Sequence, residues 1–407
     1  MFRHWIGSLS LTRWLVGVMK RIFLFGFILF LSLPAVANAM RIDCAGSTAG
    51  ATPDASLFSG SARGDAYREA LLRVMEEFHI PGVIAGVWIP GKKPWKIAQG
   101  LGDVESGAPI GINDYFPIRS VTKSFTVTLI LQLVRSKAIS LDDPIGKYVS
   151  GIPNGNEITL ADLAAMESGV KSYSDVGAFL SALTEDFSRS WTPEELVALA
   201  LPESPVFAPG AEYDYSNTNC ILLGMVVEKV TQEPIAETYR KRIFKPLGLR
   251  GTSYPNNTNI PTPHPTPYVV DSDTGELTEL AVVNLSAFGA SGGIVSTLED
   301  LRRWGKALGN GTLIGSRLQK TRLQHSRPAT SGPEYDRYGL GIGELKGWWG
   351  HTGEGLGYQA ATFYDPKTHG VISVLVNSSQ GVNVATEVFK ALADVVHPLG
   401  AGDDTAP

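Results

Sequence analysis

Cysteine is nearly absent from this chain of 407 residues: Cys44 and Cys220 are the only two. Two thiols cannot make a disulfide framework. Cys220 lies in an apolar helical pattern and reads as a buried, inert thiol. Cys44 follows Arg41-Ile42-Asp43, a poor context for lipid attachment, and reads as an unpaired residue in an N-terminal tail. Basic runs are missing as well, and a net charge of -5 argues against a nucleic-acid surface. Histidine is sparse: the seven present show neither His-x-His nor His-x-x-x-His spacing. A metal site is therefore not expected, and no cofactor is expected either. No apolar run is long enough to span a bilayer comfortably, so no membrane association is expected beyond an export signal.

What is present is enough apolar material, 43% of residues, for one large or two medium domains. Near the N-terminus, Lys20-Arg21 precedes the apolar run Ile22–Leu33, and Ala37-Asn38-Ala39 follows. Charged, apolar and small-residue regions in that order are those of a secretory signal, which predicts cleavage after Ala39 and a periplasmic or secreted protein. Met19 would start a signal of ordinary length, which makes the preceding segment a candidate for a misassigned start.

Residues 40–62, rich in Ser, Gly, Ala and Thr, read as a linker. An amphipathic helix is expected over 65–78. A hairpin follows, in which 81–89 and 94–100 flank the turn Pro90-Gly91-Lys92-Lys93. From 120 to about 249 the pattern is helical. One helix opens near Ile158, one at Thr192-Pro193-Glu194-Glu195, and one spans about 219–230. Strands are expected at 338–342, 360–364 and 370–377, helices at about 298–308 and 383–396. The organisation is thus a discontinuous α/β domain, 63–119 with 286–398, carrying a mainly helical domain over 120–285; 399–407 are a tail. No internal repeat is visible.

The chemistry points to Ser120. In Ser120-Val121-Thr122-Lys123 the two polar residues share a helix face, which holds a hydroxyl beside an amine at the positive end of a helix. The helix that follows, through Val134, is apolar almost all round, which predicts burial. Alone, the pair also reads as a helix N-cap with a solvated first-turn charge. A chain this long holds about one such pair by chance, and Ser168-Gly169-Val170-Lys171 is a second. Two later segments extend the proposal. Tyr213-Asp214-Tyr215-Ser216-Asn217 displays polar side chains on a turn, and Trp348-Trp349-Gly350-His351-Thr352-Gly353-Glu354-Gly355 lies between strand patterns. A rival is Gly289-Ala290-Ser291-Gly292-Gly293, which fits a nucleophile-elbow pattern with Asp365 and His397 in order behind it. Its flanks are poor as strand and helix, and its glycines read as a tight backbone passage.

Ser-x-x-Lys, then Tyr-Ser-Asn, then His-Thr-Gly, in that order, resembles the serine β-lactamase and D-alanyl-D-alanine carboxypeptidase superfamily. Phe116–Ser124, Phe207-Ala208-Pro209-Gly210 and Ile243–Leu249 match as well. His351 in place of the usual Lys looks most like the secreted carboxypeptidase branch. The resemblance implies a β-lactamase/transpeptidase-like fold, α/β plus all-α, with a central antiparallel sheet flanked by helices. It implies an acyl-enzyme at Ser120, with Lys123 and Tyr215 handling protons; which of these is the base stays open. Asn217 would orient Lys123 and the substrate amide. His351, Thr352 and Gly353 would bind substrate, and the backbone N–H groups of Ser120 and Glu354 would form the oxyanion hole. The implied partner is a small peptide, β-lactam or ester, taken by a monomer. The implied activity is that of a penicillin-binding carboxypeptidase. Class C-like β-lactamase, esterase, and non-turnover penicillin sensor or cell-wall peptide binder are the alternatives. If a charged His351 holds a substrate carboxylate, binding should weaken as pH rises from its ordinary pKa of about 6.5 toward 8. The arginine that carboxypeptidases tend to place on the preceding strand is missing here. Lys346 could substitute, with Glu344 opposing it.

Overall fold

The structure is a computed structural model and describes residues 62–398. The expected signal segment, Cys44, nearly all of the linker and the C-terminal tail lie outside the described residues.

Its centre is a nine-stranded antiparallel sheet. The five long strands in spatial order are β2 (Trp95–Asp103), β1 (Gly82–Trp88), β6 (Val371–Val376), β5 (Tyr358–Tyr364) and β4 (Trp348–Gly355). The sheet continues through β3 (Ile342–Leu345) to two short strands at Arg337–Gly339 and Arg327–Pro328, and Ala108–Pro109 closes the other edge. The first hairpin and the last strands are thus far apart in sequence yet adjacent, since β1 pairs with β6 over Val83↔Val376 to Trp88↔Val371.

Successive strand residues point to opposite faces, and both faces of this sheet are covered. Ala361, Phe363, Ile372 and Val374 pack under α1 (Ala62–Glu77) and the closing helix α5 (Val384–Val396). There Phe363 stacks on Phe389 at 4.2 Å. Ala360 and Leu375 face the other way, into a core shared with α2 (Val121–Arg135) and α4 (Leu298–Asn310). This is why the strands carry continuous apolar runs rather than clean alternation.

Helix α2 is the buried axis of that second core. Twelve of its fifteen residues are buried, as its all-round apolar pattern requires. Phe125 stacks on Trp304 of α4 with ring centroids 3.6 Å apart, and the Trp304 indole N–H donates to Ser124 Oγ at 2.9 Å. On its far side α2 meets α3 (Asn217–Thr231), a helix of the same fifteen residues' length. Cys220 lies on α3, fully buried and unpaired, with its thiol pushed up to about 12 by burial.

Two sequence expectations need correction. The stretch 348–355, read as lying between strands, is itself the central strand β4; three glycines in eight residues hid it. The glycines are there because the backbone is crowded. A Cβ on Gly350 would stand 2.0 Å from the Thr362 carbonyl, and one on Gly353 would stand 2.1 Å from that of Ile118. The single strand expected at 338–342 is instead a hairpin. Its turn at Leu340-Gly341 uses a positive φ at Gly341, whose Cα lies against Val127 of α2.

Candidate active site

Ser120 caps the start of α2, and Arg119 just before it has a left-handed φ of 49°. That turn aims Ser120 out of the core into a cleft of about 490 Å³, while Lys123, three residues on, points into the protein and is fully buried. Lys123 Nζ lies 2.8 Å from Ser120 Oγ and donates to the Ser291 carbonyl at 2.9 Å. No carboxylate forms an ion pair with it among the described residues. Burial without a counter-ion disfavours the ammonium and lowers the amine to about 8. The neutral amine can donate one N–H to Ser291 and accept the Ser120 hydroxyl proton on its lone pair.

Tyr215, just before α3, places its ring 4.9 Å from Lys123 Nζ. Its phenol oxygen is shielded from solvent and has no hydrogen bond of regular geometry, although the Ser120 hydroxyl is close enough to influence it. Burial, reinforced by Tyr335, pushes the phenol well above its ordinary value. Burial favours the uncharged form of both groups. Lys123 is left as an amine with a lone pair beside the Ser120 hydroxyl, and Tyr215 as a neutral phenol.

Asn217 lines the cleft but does not hold Lys123 as expected. Its side-chain amide donates to Ser174 Oγ at 2.8 Å, and its backbone N–H to Ser172 Oγ at 3.1 Å. The Ser291 carbonyl fills the role of orienting the lysine. Ser291 itself is no exposed nucleophile: it is buried, and its hydroxyl donates to the Phe288 carbonyl at 2.6 Å. Asp365 and His397 do meet, at 2.7 Å, but around the Asp365–Gly370 turn. Asp365 is five residues beyond Ala360, the partner of Gly353, or about 17 Å along the strand. The second Ser-x-x-Lys is structural, with the Ser168 hydroxyl donating to Asn219 Oδ1 at 2.7 Å.

Thr352, Gly353 and Glu354 of β4 form the opposite wall. Gly353 lets the strand press against the nucleophile's own backbone: a Cβ there would stand 3.0 Å from the Ser120 nitrogen. Asn383 ties the wall to the start of α5 by donating to the Gly353 carbonyl at 3.2 Å. Arg119 secures the strand end, donating from Nε to the Gly355 carbonyl at 2.9 Å and from Nη2 to that of Leu356 at 3.3 Å. Its guanidinium lies 4.4 Å from the Phe288 ring centroid.

The expected charged His351 is corrected. The ring is fully buried behind the wall and is absent from the cleft lining. Its Nδ1 lies 2.6 Å from the Thr352 carbonyl and its Nε2 2.9 Å from Tyr338 Oη, which assigns the neutral Nδ1–H tautomer. Burial, with Lys123 adding to it, lowers the imidazole to about 3. Lys346 is also elsewhere, paired with Asp394 at 2.5 Å.

Sequence reading missed the acidic lining. Asp175, Asp214, Glu334, Glu354 and Glu387 all border the cleft, and no Lys, Arg or His does among the described residues. The signal available was Ser172-Tyr173-Ser174-Asp175, directly after the second Ser-x-x-Lys.

With this geometry in view, the comparison with known proteins is decisive for the family: the profile described as "Beta-lactamase" matches residues 68–397. The chain belongs to the beta-lactamase family. Within it, a β-lactamase of Escherichia coli K12 is 27% identical over 251 residues, 59% of this chain and 59% of that protein. A D-aminopeptidase of Cereibacter sphaeroides is 28% identical over 198 residues, 48% of this chain and 37% of that protein. The chain thus spans less than two thirds of these curated relatives. Among solved structures, a D-stereospecific amidohydrolase from Streptomyces sp. superposes with a TM-score of 0.72 at 30% identity, covering 81% of this chain and 98% of that one. The large antiparallel sheet flanked by helices is the β-lactamase/transpeptidase-like fold expected from the motifs.

Proposed function

We propose that this beta-lactamase-family chain is a serine hydrolase that cleaves a small amide through an acyl-enzyme at Ser120. One observation carries the reading: Lys123 Nζ, buried and without a counter-ion, stands 2.8 Å from Ser120 Oγ. The neutral amine takes the Ser120 proton as Oγ attacks the substrate carbonyl carbon. The backbone N–H groups of Ser120 and Glu354 receive the developing oxyanion. The Tyr215 phenol protonates the leaving nitrogen and is reprotonated by the Lys123 ammonium, which restores the amine. Water then attacks the ester carbonyl by the reverse proton path and releases the acid.

The carboxypeptidase form of this reading requires a cation for the substrate's terminal carboxylate, and β-lactams carry a carboxylate too. The described lining of the cleft supplies none. Amide hydrolysis without carboxylate recognition therefore fits the cleft better. It agrees in kind with the amidohydrolase and the aminopeptidase among the similar proteins.

Intact-mass spectrometry tests the reading. Wild type incubated with a D-amino-acid amide or ester, a D-alanyl-D-alanine peptide and a β-lactam should gain an acyl mass from the first, and Ser120→Ala from none. A Ser120→Ala protein that still acylates would end it; a persistent β-lactam adduct would instead favour the penicillin-sensor alternative. Export, on the Lys20–Ala39 segment, and the monomeric state implied by the resemblance belong to the same proposal. N-terminal sequencing and light scattering check them.

A further inference from the structure

The five carboxylates of the cleft are not equivalent. Glu334 and Glu387 share Lys390, at 3.0 and 2.8 Å. Glu354 accepts from the Gln359 side-chain amide at 3.1 Å. Asp175 and Asp214 have no ion-pair partner among the described residues. Asp214 accepts from Ser331 Oγ at 2.8 Å, and Asp175 from Ser174 Oγ at 3.3 Å. The two sit beside the machinery that would handle a substrate amide: Asp214 adjoins Tyr215, and Ser174 links Asp175 to the Asn217 amide. The shielded Tyr215 phenol oxygen, close to the Ser120 hydroxyl, lies at the same cleft. A site with a nucleophile and base in place thus presents two carboxylates without an ion-pair partner, and its described lining holds no Lys, Arg or His.

Resting on the amide-hydrolase reading above, we infer that Asp175, seconded by Asp214, is the specificity determinant of the cleft and receives an ammonium group on the substrate, such as the free α-amine of an amino-acid amide or short peptide. The placement explains why the cation expected for a carboxylate has no counterpart here, since the recognised charge has the opposite sign. Asp175 is an exposed residue of the cleft lining, yet the surrounding protein, with Asp214 adding to it, pushes its carboxyl up to about 6 against the pull of Lys171. A carboxylate held under that penalty gains from a bound cation.

The test compares D-alanine p-nitroanilide with its N-acetyl derivative, alongside p-nitrophenyl acetate as a neutral acyl donor. Wild type should favour the free ammonium by at least about tenfold in kcat/KM. In Asp175→Asn the ratio should fall toward one, and Asp175→Glu should restore it. Because each ratio is taken within one protein, a general loss of activity cancels. Ethylammonium should also compete with the ester burst of wild type and not with that of Asp175→Asn. A wild type that prefers the acetylated anilide, an Asp175→Asn ratio that stays high, or a burst indifferent to ethylammonium overturns the inference alone. An ester burst that survives unchanged in Ser120→Ala overturns the acyl-enzyme reading, and the inference with it.

Discussion

The Lys123 Nζ donates to the backbone carbonyl of Ser291, 2.9 Å away in space and 168 residues away in sequence. The residue whose surroundings imitate a nucleophile elbow thus serves through its carbonyl, by fixing the amine that faces Ser120. Because that contact is to a neutral dipole, it orients the lysine without stabilising its charge as a carboxylate would.

The pH dependence follows from this. A base lowered to about 8 is mostly protonated at lower pH. Below 8, kcat/KM should rise about tenfold per pH unit and level off above it. Lys123→Met should cost about 10²–10⁴ in kcat. A flat profile between pH 6 and 9 in stopped-flow acylation would remove Lys123 as the base.

Ser291 and Ser120 can be told apart directly. Ser291→Ala loses the hydroxyl's bond to Phe288 and its 3.4 Å contact with Tyr173 Oη, a stability cost of about 1 kcal/mol, and should still take up an acyl mass. Ser120→Ala should take up none. Peptide mapping of the labelled protein locates the ester, and a label on Ser291 would revive the rival reading.

Arg119 and Gly353 hold the wall proposed to receive the oxyanion against the Ser120 backbone. Arg119→Met leaves the Gly355 and Leu356 carbonyls without their donors, at about 1–3 kcal/mol each. It should lower kcat more than it raises KM, because the wall matters most when charge develops. Gly353→Ala should be worse, with its Cβ placed 2.1 Å from the Ile118 carbonyl. Urea denaturation and steady-state kinetics measure both; unchanged kcat in Arg119→Met would show that the wall stands without the clamp.

His351 should leave its mark on stability and not on substrate binding. Its pKa falls from the ordinary 6.5 to about 3 on folding. The unfolded chain therefore takes up a proton that the folded one refuses. The stability this group supports is present above pH 6.5 and lost as pH falls toward 3, by up to about 1.4 kcal/mol per pH unit. Replacing it with Gln should flatten that part of the stability profile, read by urea denaturation at pH 4 to 7. A KM inflection near pH 6.5 that disappears in the same variant would restore the charged role instead.

Several features were determined by sequence alone. The apolar girth of Phe125–Val134 sufficed to bury α2, and the three-residue spacing of Ser120 and Lys123 sufficed to place hydroxyl and amine on one face, because helix geometry is local. The hairpin 81–100, the closing helix and the family motifs were legible for the same reason. Other features were decided by tertiary structure, through burial and partners drawn from distant segments. The sequence could not show that 348–355 is a central strand, since its glycines answer to the carbonyls of Ile118 and Thr362. It could not show that His351 is neutral, since Tyr335 and Tyr338 enclose it. Nor could it show that carboxylates from five separate places converge on one cleft. A side chain's charge depends on what folding packs around it, and that is not written at its own position in the chain.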